Sequence, residues 1–218
     1  MDAEAVLTRY RERRVVLTGL QTAAMNAVSA TTMMDYAKRI GLVKSGVLNP
    51  GSRAEMTLVF DLAVHTAAEG RSRAIDRIAK QRKPAPDSDE AAILDALRNA
   101  TFAFWRVEGP HDTAGMTVHD VLRKESFWLM DEWLAKSAKP GARFVARLAD
   151  LGDYRVSCGA IVPIDDTVLQ LAASDTRSFQ ATDSVAIQRD RRFAEAFYRA
   201  AIASGTMRGV AFREPGET

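Results

Sequence analysis

The stretch "ARFVARLADLGDYRVSCGAIV", residues 142–162, decides the fold class. Phe144, Ala146 and Leu148 alternate with Arg143, Val145 and Arg147. Beyond the turn formers "DLGD", Tyr154, Val156, Cys158 and Ala160 alternate with Arg155, Ser157 and Gly159. A period of two on both sides of a tight turn predicts a β-hairpin, because successive side chains of a strand point to opposite faces. Upstream, "TFAFWRVE", "MTVHDVL" and "SFWLMDE" are rich in the aromatic and β-branched residues that suit a pleated surface. Five short strands between about residues 101 and 162 predict a small, mainly antiparallel sheet that can curl into a barrel.

On either side of this unit the period changes to that of a helix. Leu7, Tyr10, Leu17, Leu20, Ala24 and Val28 keep helical spacing in a helix over roughly 3–40, with breaks, ending near Gly41. Ser52 and Glu55 have the spacing of a capping box, ahead of an apolar face of Met56, Val59, Phe60 and Ala63. "KPAPDSDE", residues 83–90, is the clearest boundary, with two prolines among turn formers. It divides the chain into a helical region, 1–83, and an α+β region, 84–218. Asp87 and Glu90 repeat the capping spacing before a short helix carrying Ile93, Leu94 and Leu97. Helix returns after Pro163. The last helix runs over roughly 185–204, with Phe193, Ala194, Phe197 and Ala201 on one face and Gly205 as its stop. The expected class is α+β, with a helical N-terminal half, a small β sheet or barrel, and a helical C-terminus.

The composition is that of an ordinary globular chain: 218 residues, 47% hydrophobic and 27% charged. Residues 15–34 carry no charge, but Thr18, Gln21, Asn26 and Ser29 interrupt the apolar run, so a buried amphipathic helix is expected and not a membrane span. Cys158 is the only cysteine. No intrachain disulfide can form, which suits a reducing compartment, and a cytoplasmic location is expected. The net charge is +2, weak for a nucleic-acid binder. It is unevenly spread, since residues 1–83 sum to +6 and the remainder to −4. Arg71, Arg73, Arg77, Lys80, Arg82 and Lys83 crowd one segment beside a single acid, Asp76. They are either the solvated face of a helix or candidate contacts to a phosphate backbone.

No motif carries a recognisable chemistry. The chain has no glycine-rich phosphate loop and no GxSxG elbow. Its three histidines include two His-Asp pairs, His111-Asp112 and His119-Asp120. A zinc site needs three or four convergent ligands. Turn formers place Asp112 at the centre of a loop and His119 opposite Trp105 on the following strand, so the two histidines would not converge. Asp131-Glu132 point to opposite faces if on a strand and favour the dipole if they begin a helix. Cys158 alternates with apolar residues and reads as a buried small side chain. No cofactor or metal is expected.

"DYAKRIGLVKSGVL", then "FDLAVH", then "FAFWRVE…GMTVHDVL…KPGARFVARLADLGDYRVSCGAIVP" resembles a group of uncharacterised bacterial proteins. In that group a helical region precedes a small β unit, and some members end in a cysteine-rich SEC-C zinc motif. The likeness spans roughly residues 35–163. The SEC-C cysteines are missing here, so the resemblance implies a layout and carries over no zinc site. The default functional expectation is a non-catalytic interaction or regulatory protein with a protein partner and no membrane. The alternative is a nucleic-acid-associated module using the basic segment and a barrel face with Trp105, Trp128, Arg143, Arg147 and Arg155. A third reading is a metal-dependent hydrolase using His111 and His119.

Overall fold

The computed structural model describes residues 2–67, 70–176 and 183–210. The chain is α+β, with helices before and after a small barrel. The N-terminal helix is two helices, α1 (Ala3–Asn26) and α2 (Ala30–Arg39). The break falls at Ser29, whose side chain accepts from the Thr32 N–H and starts α2. Val6, Tyr10, Leu17, Leu20 and Ala24 form the buried face of α1. Among the described residues no helix is long and apolar enough to cross a membrane.

Residues 43–48 hold an element that the helical period hides. β1 (Val43–Lys44) and β2 (Val47–Leu48) pair antiparallel around Ser45 and Gly46, which sit at φ 51° and 80°. Two successive positive φ values make the turn that matches strand twist, and serine in place of the usual Asn or Asp conceals it. α3 (Arg53–His65) begins at Ser52, which accepts from the Glu55 N–H as the capping spacing predicts. α4 (Ala74–Arg82) and α5 (Asp89–Arg98) follow, α5 being capped by Ser88 and not by Asp87. The proline-bearing stretch at 83–88 is the loop between them. The apolar clusters run across it: Tyr10 and Leu17 share one with Ile93 and Leu97, while Leu58 and Leu62 share another with Phe102 and Tyr198.

The barrel strands are β3 (Thr101–Pro110), β4 (Met116–Asp120), β5 (Glu125–Met130), β6 (Arg143–Asp150) and β7 (Arg155–Ser157). β8 (Val162–Pro163) joins the edge of β6, and α6 (Glu132–Ser137) lies between β5 and β6. Around the barrel the order is β3-β4-β5-β7-β6 and back to β3. β3 serves two neighbours by its length: residues 101–106 pair with β6 and residues 105–110 with β4, with a register shift between Val107 and Gly109. Every pairing is antiparallel except β5–β7, which closes the barrel in parallel through Leu129↔Arg155 and Met130↔Val156. The interior holds Trp105, Val118, Leu129, Ala146 and Leu148, with Trp105 stacked on Phe144 at 4.9 Å. α6 packs Leu134 and Ala138 against this interior.

Helices clothe the outside. α7 (Asp166–Thr176), α8 (Ser184–Arg189) and α9 (Arg191–Ser204) complete the chain before a short 3-10 turn, Thr206–Gly209. The expected final helix is thus split at Asp190, whose carboxylate accepts from the Arg192 N–H. It ends at Gly205, as predicted. Phe193 and Phe197 of α9 pack on Phe102 and Phe104 of β3, and α1, α4 and α5 cover Ala149, Val156 and Cys158. β6 is therefore buried on both faces.

Two glycines at positive φ separate strain from contact. At Gly115 (φ 73°) an added Cβ would meet the Leu129 carbonyl oxygen, whereas at Gly152 (φ 94°) the space is open. Gly152→Ala should cost about 1–2 kcal/mol, the left-handed backbone penalty alone. Gly115→Ala should cost clearly more, because a strand backbone cannot yield. Urea unfolding of both variants checks this; equal losses would show that the β4–β5 approach is not close.

Candidate functional site

The buried centre of the molecule is an ion pair. Arg147 of β6 donates from Nε to Asp61 Oδ1 at 2.9 Å and from Nη2 to Oδ2 at 3.1 Å. The two side chains are 6% and 0% exposed. Tyr198 of α9 donates its hydroxyl to Asp61 Oδ2 at 2.9 Å. Burial alone would weaken the hold of Arg147 on its proton, but the charge of Asp61 outweighs it and raises the pKa above the ordinary value. Burial, then the charge of Asp61, pushes the Tyr198 phenol well up. Gly159 passes so close that an added Cβ would meet Asp61 Oδ1. Cys158 beside it is buried, and burial first of all lifts its thiol to about 12, so it is no nucleophile at neutral pH.

Arg147 also lines a cavity of about 230 Å³, where it meets Arg73, Arg98, Arg189 and Arg191. Local structure delivers each one. Arg73 is the N-cap residue of α4, Arg98 the last residue of α5, Arg189 the last of α8 and Arg191 the first of α9. Arg73 makes a two-pronged pair with Asp76, at 2.7 and 2.9 Å, and Arg98 shares that carboxylate at 3.3 Å. Burial would raise the Asp76 carboxyl, but Arg73 and then Arg98 hold it below the usual carboxylate range. Arg191 donates to the Ala67 carbonyl at 3.2 Å. Among the described residues neither Arg189 nor Arg191 has a carboxylate within ion-pair distance.

Two poorly partnered polar groups stand in the same wall. His65, the last residue of α3, is 4% exposed; neither ring nitrogen makes a well-formed hydrogen bond, the Cys158 backbone being a weak partner only. Its pKa falls to about 3, through burial first and the charge of Arg147 second. Gln188 is 1% exposed; its Nε2 donates to Asp120 at 2.6 Å, which leaves Oε1 without a donor. Native structures leave few buried polar atoms unmatched, so each calls for an explanation.

Of the six basic residues singled out in the sequence, only Arg73 reaches this cavity. Arg77 is structural, donating to the carbonyls of Ser72 and of Ala27 at the end of α1. Arg71, Lys80, Arg82 and Lys83 are exposed, Arg82 lying 3.9 Å from Glu90. Arg143 pairs with Asp166, and Arg155 pairs with Glu125 and lies over the Phe127 ring. Trp105 is inside the barrel and offers no stacking face. His111 lies in the β3–β4 loop, stacked on Trp128 at 4.1 Å, and its Nδ1 accepts from the Thr113 N–H. His119 is opposite Arg106, one place from the expected Trp105, because the pairing register runs Trp105↔Asp120. His119 Nδ1 is 3.2 Å from the Ser126 hydroxyl. Among the described residues no group of three His, Cys, Asp or Glu side chains could hold a metal. Asp131 caps α6, accepting from the N–H groups of Trp133 and Leu134.

A second, larger cavity of about 860 Å³ lies among α1, α3, α6 and the barrel, walled mainly by apolar groups such as Met25, Phe60, Val64 and Ile161. His65 lines both cavities, and the Asp61–Arg147 pair presents its acid to the larger and its base to the smaller.

Residues 4–206 match the model of the Family of unknown function (DUF7986). No curated protein matches the chain, and neither does any solved structure.

His65 makes a test of its burial. Its folded pKa, about 3, lies below the ordinary 6.5. Between those values the unfolded chain takes up a proton that the native state refuses, so stability falls on acidification by up to about 1.4 kcal/mol per pH unit. Above pH 7 the group contributes no pH dependence. The unfolding free energy of wild type minus that of His65→Leu should therefore be constant above pH 7 and fall from pH 6.5 to pH 4. Curves that stay parallel would place the imidazole in water.

Proposed function

We propose that this chain, which belongs to the Family of unknown function (DUF7986), is a non-catalytic binding protein whose partner is recognised as an anion. The convergence of five arginines on one cavity carries the reading. Arginine keeps its proton at any physiological pH, so such a cluster binds and orients but moves no proton. His65, the one imidazole in the wall, stays neutral for the same range. The single buried thiol suits a reducing compartment, and we place the protein in the cytoplasm.

A nucleic-acid partner is the second reading, and a specific observation favours it. Arg73 from the basic segment and Arg147 from the hairpin line the same cavity. The barrel order, with the third and fifth strands parallel and a helix between the third and fourth, is that of the OB-fold, which binds oligonucleotides and oligosaccharides elsewhere. Fold likeness alone is a weak warrant for function. The exposed Arg71, Lys80, Arg82 and Lys83 then supply only a salt-sensitive rim.

Thermal unfolding in increasing phosphate or sulfate, at constant ionic strength, tests the anion reading. Both anions stabilise proteins non-specifically, so the measured quantity is the difference between wild type and Arg98→Gln/Arg189→Gln. Wild type should gain Tm along a saturating curve set by mass action, and the variant should lose most of the gain. Arg71→Gln/Lys83→Gln should behave as wild type. Equal gains in all three proteins would remove the anion site.

A further inference from the structure

We infer that the arginine cavity takes a terminal phosphoryl group, a phosphate monoester, in preference to the diester of a polymer backbone. This rests on the anion reading above and names the ligand class for the same site. Three observations lead to it.

The first is charge. Asp76 answers Arg73 and Arg98, and Asp61 answers Arg147. Arg189, which is exposed, and Arg191 remain without an ion pair among the described residues; Asp190 lines the same cavity, paired with Arg192, and feels the charge of Arg191. The arginines of the wall still outnumber its carboxylates, and such an excess favours a monoester, which carries about −1.5 to −2 at pH 7. A backbone diester brings one charge.

The second is preorganisation. Arg73 and Arg147 are each held by two hydrogen bonds to a carboxylate, and Arg191 by the Ala67 carbonyl. Guanidinium groups fixed in this way lose little freedom on binding. Their planar forks suit the paired oxygens of a phosphoryl group.

The third is shape. The cavity, about 230 Å³, falls below the usual 300–1,000 Å³ of a drug-sized site. That volume suits a phosphoryl group on a short tail better than several nucleotides at once. His65 and Gln188, buried and poorly partnered in its wall, make the wall polar where bulk water does not satisfy it. A small ligand and the 5′ end of a nucleic acid share this chemistry, so the experiment separates them.

Titration calorimetry on the full chain at pH 7.5 would compare inorganic phosphate, glycerol phosphate, dimethyl phosphate, and a short oligonucleotide with and without a 5′-phosphate. Glycerol phosphate should bind at least tenfold more tightly than dimethyl phosphate. The 5′-phosphate should improve the oligonucleotide tenfold if a nucleic-acid end is the source, and have no effect if only small ligands enter. Lowering the pH to 5.5 should weaken glycerol phosphate, because its second ionisation lies near 6. Arg189→Gln/Arg191→Gln should lower affinity tenfold or more without changing the circular dichroism spectrum. Equal binding of the diester and the monoester would overturn the inference and leave the anion reading standing. No binding of any anion would overturn both. The comparison within wild type decides the matter even if the variant does not fold.

Discussion

A carboxylate with no exposure to water, Asp61, ties three parts of this molecule together. It is on α3, it receives both prongs of Arg147 from the barrel, and it receives the Tyr198 hydroxyl from α9. A buried ion pair is a poor source of net stability, since the cost of desolvating both ions rivals their attraction. Its effect is on arrangement. A slip of α3 along the barrel would strand a charge in apolar surroundings, at a cost of about 3–5 kcal/mol, while a slip of α9 would take the Tyr198 hydroxyl from the carboxylate. Gly159 belongs to the same constraint, because no side chain fits between its backbone and Asp61.

The arginine cavity follows from that arrangement. Arg147 cannot swing away from Asp61, so its remaining edge is a fixed wall of the cavity. The ends of four helices then bring their terminal residues to it: His65, Arg98 and Arg189 at C-terminal ends and Arg191 at an N-terminal one. Cations at helix C-termini are favourable in themselves, which explains why Arg98 and Arg189 can be there without a functional reason. Arg191 and the buried Arg147 have no such local explanation.

The fold class was legible because it depends on period. Alternation around residues 142–162 marked strands, and Ser52 and Gly205 marked helix ends. What stayed hidden depends on partners. Arg147 read as a solvent-facing residue of a strand because alternation cannot say that helices cover both faces; its partner Asp61 is 86 residues away. The cavity gathers residues from six separate elements or their caps and leaves no local motif. The parallel β5–β7 seam was likewise invisible, since the strand pattern records faces and not neighbours. The histidine pairs drew notice by their rarity, and the structure leaves each with its own neighbours: His111 with Trp128, His119 with Ser126.

The seam that closes the barrel is only two residue pairs long. Next to it, Arg14 and Gln21 of α1 donate to the carbonyls of Ser157 and Cys158. α1 is thus matched to a segment 137 residues further on. At roughly 5–20 residues per second, that partner follows on the order of ten seconds later. In that interval Leu17, Leu20 and Ala24 can already pack on α3, α4 and α5, while the polar contacts of α1 to the barrel stay unmade. A nascent chain of this design can bury α1 among its helices early, but it fastens that helix to the barrel only once the closing strand has been made.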